Sequence, residues 1–257
     1  MKHKVSLGKS NFKRMIESKS FFVDKSLFIK EVIEESSEVV LITRPRRFGK
    51  SLNFSMLKYF FDIKEDSREL FKGLKISREK ESLMHMNKYP VLEIDFKGIG
   101  GDNWEEKKDD LKIKISKLYK KHKKEVWKVL DEEEKDVYNR INKKQATDGE
   151  IRDSIRGLTE YLERRYEKKV IVLIDEYDAV IVDMYGKEGF ESCVDMFRRM
   201  YENALKGNNS VHKALMTGIM RVAKEGMFSG LNNVAVYTVL SERFSKHFGF
   251  LEEEIED

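Results

Sequence analysis

Residues 39–61 pass from an apolar run, Val39-Val40-Leu41-Ile42, through a basic loop, Thr43-Arg44-Pro45-Arg46-Arg47-Phe48-Gly49-Lys50-Ser51, into a mostly apolar stretch ending at Phe61. That order leaves few folds open. An apolar, β-branched run of this length reads as a strand covered on both faces, and Ser51 to Phe61 reads as a buried helix. A loop between a strand end and a helix start turns backbone N–H groups toward the helix N-terminus, where unsatisfied donors and the helix dipole favour anions. Lys50 and Ser51 add a cation and a hydroxyl at that point. The segment therefore reads as a phosphate cradle, with Lys50 on the β- and γ-phosphates of a nucleotide and Ser51 holding Mg²⁺ through its hydroxyl. The first glycine of G-x-x-x-x-G-K-[ST] falls at Arg44. The competing reading of so many arginines is a basic patch for nucleic-acid phosphates.

Further strand-length runs follow: Val91-Leu92-Glu93-Ile94-Asp95-Phe96, Val170-Ile171-Val172-Leu173-Ile174, Ala214-Leu215-Met216 leading into Thr217, and a fifth at Val234–Leu240. Helical spacing lies between them. Ile151, Ile155, Leu158 and Leu162 share one face, as do Cys193, Phe197, Met200 and Ala204. Strands alternating with helices imply an α/β sandwich around a parallel sheet. Residues 102–169 are heavily charged and carry no strand signal, so they read as helices packed on the sheet's flank or projecting from it, with solvated faces as the blander account of the charge. The segment up to Glu35 reads as a helix feeding the first strand. Its lead-in Phe21-Phe22-Val23-Asp24-Lys25 is either a staple against the core or the border of an adenine pocket.

The run 170–174 ends in acid, Asp175-Glu176. Ligands of an open α/β sheet gather outside the carboxyl ends of its strands, which would put Asp175 on the same edge as the basic loop, serving the metal shell. Glu176 would then orient and deprotonate an attacking water. In Leu215-Met216-Thr217-Gly218-Ile219-Met220-Arg221 another strand runs out into polar residues, making Thr217 a positional candidate for sensing a terminal phosphate and Arg221 a candidate phosphate contact. An ordinary strand cap is the alternative for Thr217. Arg198, Arg199, Arg221 and Arg243 are all eligible as an arginine that neutralises transition-state charge.

The strings Phe22-Val23-Asp24-Lys25-Ser26, Thr43 through Leu52, Leu173-Ile174-Asp175-Glu176-Tyr177-Asp178 and Met227-Phe228-Ser229-Gly230-Leu231-Asn232-Asn233 resemble the AAA-ATPase-like family of bacterial and archaeal P-loop proteins. The resemblance implies a P-loop three-layer sandwich with an additional catalytic strand, so that the acidic strand does not adjoin the phosphate-loop strand. The region about 102–169 would be a charged helical insertion in one ATPase domain spanning residues 1–257. It also implies that Arg44 is the family's own form of the loop, and that residues Arg44, Pro45, Arg46, Arg47, Phe48, Gly49, Lys50, Ser51 and Leu52 hold ATP. Lys50, Glu176, Thr217 and Arg221 would act in catalysis, and Ser51 and Asp175 would serve Mg²⁺. Family members often continue into a PD-(D/E)XK nuclease-like domain. This chain stops at Phe248-Gly249-Phe250-Leu251-Glu252-Glu253-Glu254-Ile255-Glu256-Asp257, about where the family's sequence would run on, as a truncation or as a short member, so that domain and the lid are expected to be absent together with any arginine they supply. Nucleic acid reached through a separate nuclease-like part, and a second copy of the chain, are the partners implied.

Composition prunes the rest. The chain has 257 residues, 40% hydrophobic, with two prolines, enough for a core and without a linker signature. Fifty Lys and Arg against 46 Asp and Glu leave a formal charge of +4, which predicts no nucleic-acid partner by itself. The single Cys193 excludes an internal disulfide and a cysteine-rich zinc site, and His3, His85, His122, His212 and His247 have no metal-ligand spacing. No apolar run approaches bilayer length, and cytosol is the default expectation. Three rivals remain. Glu93-Ile94-Asp95-Phe96-Lys97 contains the acid-x-lysine triplet of metal-dependent nucleases, against which stands a plain buried strand. A nucleotide switch without hydrolysis would use the same binding residues. A nucleic-acid-binding module would bind without ATP and with steep salt dependence.

Overall fold

The computed structural model describes residues 10–220 and 233–254. Two helices, α1 (Phe12–Glu17) and α2 (Leu27–Glu34), precede β1 (Val39–Thr43), which feeds α3 (Lys50–Phe61). Single-turn helices α4 (Arg68–Phe71) and α5 (Lys80–Leu83) lead to β2 (Val91–Asp95). Three longer helices follow, α6 (Trp104–Val126), α7 (Glu132–Asn142) and α8 (Asp148–Tyr166), then β3 (Val170–Asp175). The helices α9 (Ala179–Met184) and α10 (Phe190–Leu205), then β4 (Val211–Gly218) and β5 (Val234–Tyr237), complete the α/β framework.

The five strands form one sheet in the order β2-β3-β4-β1-β5, with every pairing parallel. Because β4 lies between β1 and β3, the phosphate-loop strand and the acidic strand are separated by one strand, and all three open onto the same edge. The continuous apolar runs have a direct cause. Val40, Ile42, Ile171, Leu173 and Leu215 face one core with Phe28, Phe54, Leu57 and Phe60 of α2 and α3. Val39, Leu41, Val170, Val172, Ala214 and Met216 face the other with α6, α8 and α10. Alternate side chains of a strand point to opposite faces, so a sheet covered on both sides needs apolar residues at every position.

The charged stretch packs into the second layer rather than projecting from it. Its helix starts are set locally: Asn103 caps α6, and full capping boxes, Asp131 with Glu134 and Thr147 with Glu150, start α7 and α8. Leu111, Ile115, Tyr119, Tyr138, Ile155 and Leu158 are buried there. Its charges pair across helices, Arg140 with Glu150 at 2.5 Å and Arg164 with Glu134 at 2.6 Å.

Two strand boundaries differ from the sequence expectation. The strand β4 starts at Val211, not Ala214, because two polar residues find partners at its entry: His212 stacks on Tyr89 with centroids 4.6 Å apart, and Lys213 donates to the Val32 and Glu35 carbonyls. The strand β5 stops at Tyr237; Val239 and Leu240 are 58% and 93% exposed beyond it. Among the described residues no helix is long and apolar enough to cross a membrane.

Candidate phosphate and nucleotide site

The basic loop is tied to the neighbour strand as it leaves β1: the Arg44 N–H donates to the Gly218 carbonyl at the end of β4, 3.1 Å. The loop then turns through left-handed backbone at Arg47 (φ 71°) and Gly49 (φ 80°), and Gly49 caps α3. Glycine takes that φ without the steric cost a side chain meets. Lys50, only 4% exposed, donates Nζ to the Arg44 and Pro45 carbonyls at 3.1 and 3.2 Å and lies 3.9 Å from Glu176 Oε1. Its ammonium is thus held inside the loop at the start of a 12-residue helix. Pro45, Arg46, Arg47, Phe48 and Gly49 are exposed around it, and Ser51 and Leu52 are half-buried on the first turn.

Asp175, at the end of β3, is the node of the site. Its Oδ2 accepts the Ser51 hydroxyl at 2.5 Å, and its Oδ1 accepts the Thr217 hydroxyl and the Glu176 N–H, the latter at 3.0 Å. Residues from two strand ends and the first turn of α3, with Ser51 and Thr217 lying 124 and 42 positions from Asp175 in sequence, therefore meet on one carboxylate. Glu176 has φ 52°, a left-handed conformation uncommon for a residue with a side chain and a recurrent mark of functional positions. Burial pushes its carboxyl above the usual glutamate range, Lys50 works against that, and the nearby acids add to it. Asp95, paired in register with Asp175, is also pushed up, chiefly by burial.

The sequence candidates separate at this point. Lys50, Ser51, Asp175, Glu176 and Thr217 converge. Thr217 is fully buried with its hydroxyl proton on Asp175, so in this state it orders the carboxylate. The Arg44 side chain is committed to structural partners. The guanidinium, 3% exposed, turns back to donate Nη1 to the Thr43 and Tyr237 carbonyls at 2.9 and 3.1 Å and lies 5.2 Å from the Phe248 ring centroid. Arg44→Ala should therefore cost about 1–3 kcal/mol of stability through two buried hydrogen bonds and one cation–π contact. Urea denaturation measures this; unchanged stability would remove Arg44 from the structural role.

Of the arginines eligible for charge neutralisation, Arg198 and Arg199 both pair with Asp195 on α10, and Arg243 pairs with Glu35 at 2.9 Å. Arg221 and residues 227–232 lie outside the described residues. In the acid-x-lysine triplet, Glu93 is bound by Lys58 at 2.7 Å with Lys121 at 3.8 Å, and the Asp95 carboxylate accepts the Lys97 N–H at 2.7 Å. Those partners are the ones a polar strand end needs, and among the described residues no group of three His, Cys, Asp or Glu side chains is placed to hold a metal ion. The 21–25 lead-in acts as support: Phe22 meets the Phe12 ring edge-on, and Lys25 donates to Glu254 and to the Lys246 carbonyl.

Sequence reasoning missed three supports. Asn53 of α3 donates to the His247 carbonyl at 2.8 Å, and the Gly249 N–H donates to the Phe48 carbonyl at 3.2 Å, so residues 247–249 brace the loop from behind. Gly218 lies under Tyr177 and Asp178, where a Cβ would stand 2.5 Å from Asp178 Oδ1 and 2.5 Å from Tyr177 Cε1. The Thr-Gly pair at a strand end was the available signal. Gly218→Ala should destabilise by about 1–3 kcal/mol through overpacking, read as a lower denaturation midpoint at unchanged m-value; a neutral result would mean the neighbouring side chains yield freely.

The model of the AAA-ATPase-like family, described as Predicted AAA-ATPase, matches residues 6–228, and the chain belongs to that family. A protein of Azotobacter chroococcum mcd 1, described as an uncharacterized protein in the vnfD 5' region, is 28% identical over 255 residues. The match covers 98% of this chain and 44% of that protein, so the chain spans less than half of that relative's length.

Proposed function

We propose that this member of the AAA-ATPase-like family binds ATP with Mg²⁺ and hydrolyses the terminal phosphate. The observation that carries the reading is the convergence on one sheet edge of a buried lysine inside an anion-favouring loop, a hydroxyl–carboxylate pair 2.5 Å apart, and a glutamate held in left-handed backbone 3.9 Å from that lysine.

In this reading the loop N–H groups and Lys50 neutralise the phosphates, giving up the Arg44 and Pro45 carbonyls for phosphate oxygens. Ser51 and Asp175 fit Mg²⁺, a hard cation that takes oxygen donors and is commonly held by one or two protein groups together with substrate phosphates and water. When bound, the ion supplies charge neutralisation across the phosphate oxygens. Thr217 keeps Asp175 oriented. Glu176 receives the proton of the attacking water, and burial moves its pKa toward the range useful to a base. The acid limb of turnover should accordingly lie above that of an ordinary glutamate, with rate rising as pH rises through it.

Calorimetric titration of ATP with Mg²⁺, followed by phosphate release on the same sample, tests the proposal. Binding with release supports it; a folded protein that does not bind removes it. A second reading, a nucleotide switch with negligible hydrolysis, draws on the fact that Arg198, Arg199 and Arg243 are all engaged elsewhere. Binding without release would favour it. We assign the use of the nucleotide to control of a nucleic-acid-processing partner or a further region on family resemblance alone.

A further inference from the structure

The string Asp175-Glu176-Tyr177-Asp178 ends in two side chains that the proposed chemistry does not use. Asp178 stands at the N-cap of α9, where an aspartate ordinarily accepts N–H groups of its own helix, yet it makes no side-chain cap hydrogen bond. Instead its Oδ2 reaches across to accept two successive N–H groups beyond β4, Ile219 at 2.9 Å and Met220 at 3.0 Å. The Tyr177 hydroxyl donates to the Met220 carbonyl at 2.7 Å. The Tyr177 N–H also donates to the Thr217 carbonyl at 2.9 Å, and the Tyr201 hydroxyl donates to the Tyr177 carbonyl at 2.8 Å.

Asp178 is fully buried, and among the described residues no cation pairs with it. A buried carboxylate is costly unless hydrogen-bonded, and bonds to a charged acceptor are about twice as strong as neutral ones. The fold keeps this carboxyl where it clamps the exit of one strand. The other side of that exit is clamped too, since the Gly218 carbonyl accepts the N–H of Arg44 at the root of the phosphate loop. A single short segment, residues 217–220, therefore connects loop root, Asp175 and the turn that carries Glu176.

We propose that Asp178, assisted by Tyr177, is a positioning residue for hydrolysis: it latches the exit of β4 so that Thr217 stays on Asp175, Asp175 stays on Ser51, and Glu176 keeps its left-handed turn. The proposal rests on the ATPase reading above. It assigns Asp178 no contact with nucleotide, so its loss should lower turnover more than affinity.

The test uses the full chain and Asp178→Ala, Asp178→Asn and Tyr177→Phe, with calorimetry of ATP and Mg²⁺, kcat and KM from phosphate release, and hydrogen exchange across residues 217–220. For Asp178→Ala we expect affinity within about threefold of the parent, kcat lower by about tenfold or more, and faster exchange at Ile219 and Met220. Asp178→Asn should recover most of the rate, because its amide oxygen can accept the same two N–H groups, and Tyr177→Phe should fall between. Parental kcat in folded Asp178→Ala overturns the proposal. So does a fall of kcat, affinity and melting temperature together with asparagine no better than alanine, the signature of a merely structural role. If Asp178→Ala does not fold, Asp178→Asn and Tyr177→Phe decide by the same criteria. A parent that binds but releases no phosphate removes the hydrolysis reading and leaves exchange to judge the latch: ATP with Mg²⁺ should slow Ile219 and Met220 exchange in the parent and not in the variant with the latch opened, and an equal response in both overturns it.

Discussion

Lys50→Ala should weaken nucleotide binding by about 30-fold or more while leaving the protein folded. The lysine is buried in the loop and bonded to two carbonyls that have no other claim on it. Removing one member of a desolvated charge pair costs about 2–5 kcal/mol, which corresponds to roughly 30- to 5,000-fold in Kd. The fold should survive because the side chain contributes charge and not core: Lys50 is a member of neither hydrophobic core on the two faces of the sheet. A second consequence follows at Glu176. Lys50 opposes the burial that raises the Glu176 pKa, so its removal should drive that carboxyl further up. Calorimetry of parent and variant reads the first effect directly. Lys50→Ala binding ATP with Mg²⁺ as tightly as the parent would show that the loop is not the phosphate site.

Elements with an internal reason to exist could be read from sequence. The apolar strands betray a sheet covered on both faces, and the order strand, basic loop, helix places Lys50 and Ser51 at a helix start on the sheet edge where Asp175 and Glu176 emerge, so the convergence of these four could be anticipated from local pattern and strand position. Relations between distant segments were not. That Arg44 would turn its guanidinium toward β5 and Phe248 depends on partners 193 or more residues away, and nothing near Arg44 distinguishes a phosphate contact from a structural one. Asp178 was hidden for a related reason: an aspartate before a helix is explained locally as a cap, and only the fold shows that it serves another strand. The start of β4 was misjudged because His212 and Lys213 are polar, and their partners come from β2's approach and from α2. The charged stretch 102–169 was readable as helix, with packing on the sheet's flank and projection from it both left open, since its buried faces compete with a dense surface charge.

Glu176→Gln should separate binding from chemistry, retaining affinity for ATP with Mg²⁺ and losing about 10²- to 10⁴-fold in turnover, the range that a positioned general base contributes. The two side chains are nearly isosteric, so the left-handed turn at φ 52° and the N–H bond to Asp175 persist. The substitution should also stabilise the nucleotide-free protein at neutral pH. Glu176's folded pKa is raised above its unfolded value, chiefly by burial. The protonated form therefore favours the fold at low pH, and this contribution is lost as pH rises through the folded pKa, because the ionised carboxylate is desolvated. Glutamine never ionises and escapes that loss. Melting temperatures of parent and variant should thus converge near pH 4 and diverge toward pH 7, with the variant higher, a function-for-stability exchange expected where a buried charge is kept for chemistry. Turnover unchanged in Glu176→Gln would take the base role from Glu176. Turnover lost without the pH-dependent gain in stability would mean that Lys50 offsets the burial more completely than the geometry of a 3.9 Å contact implies.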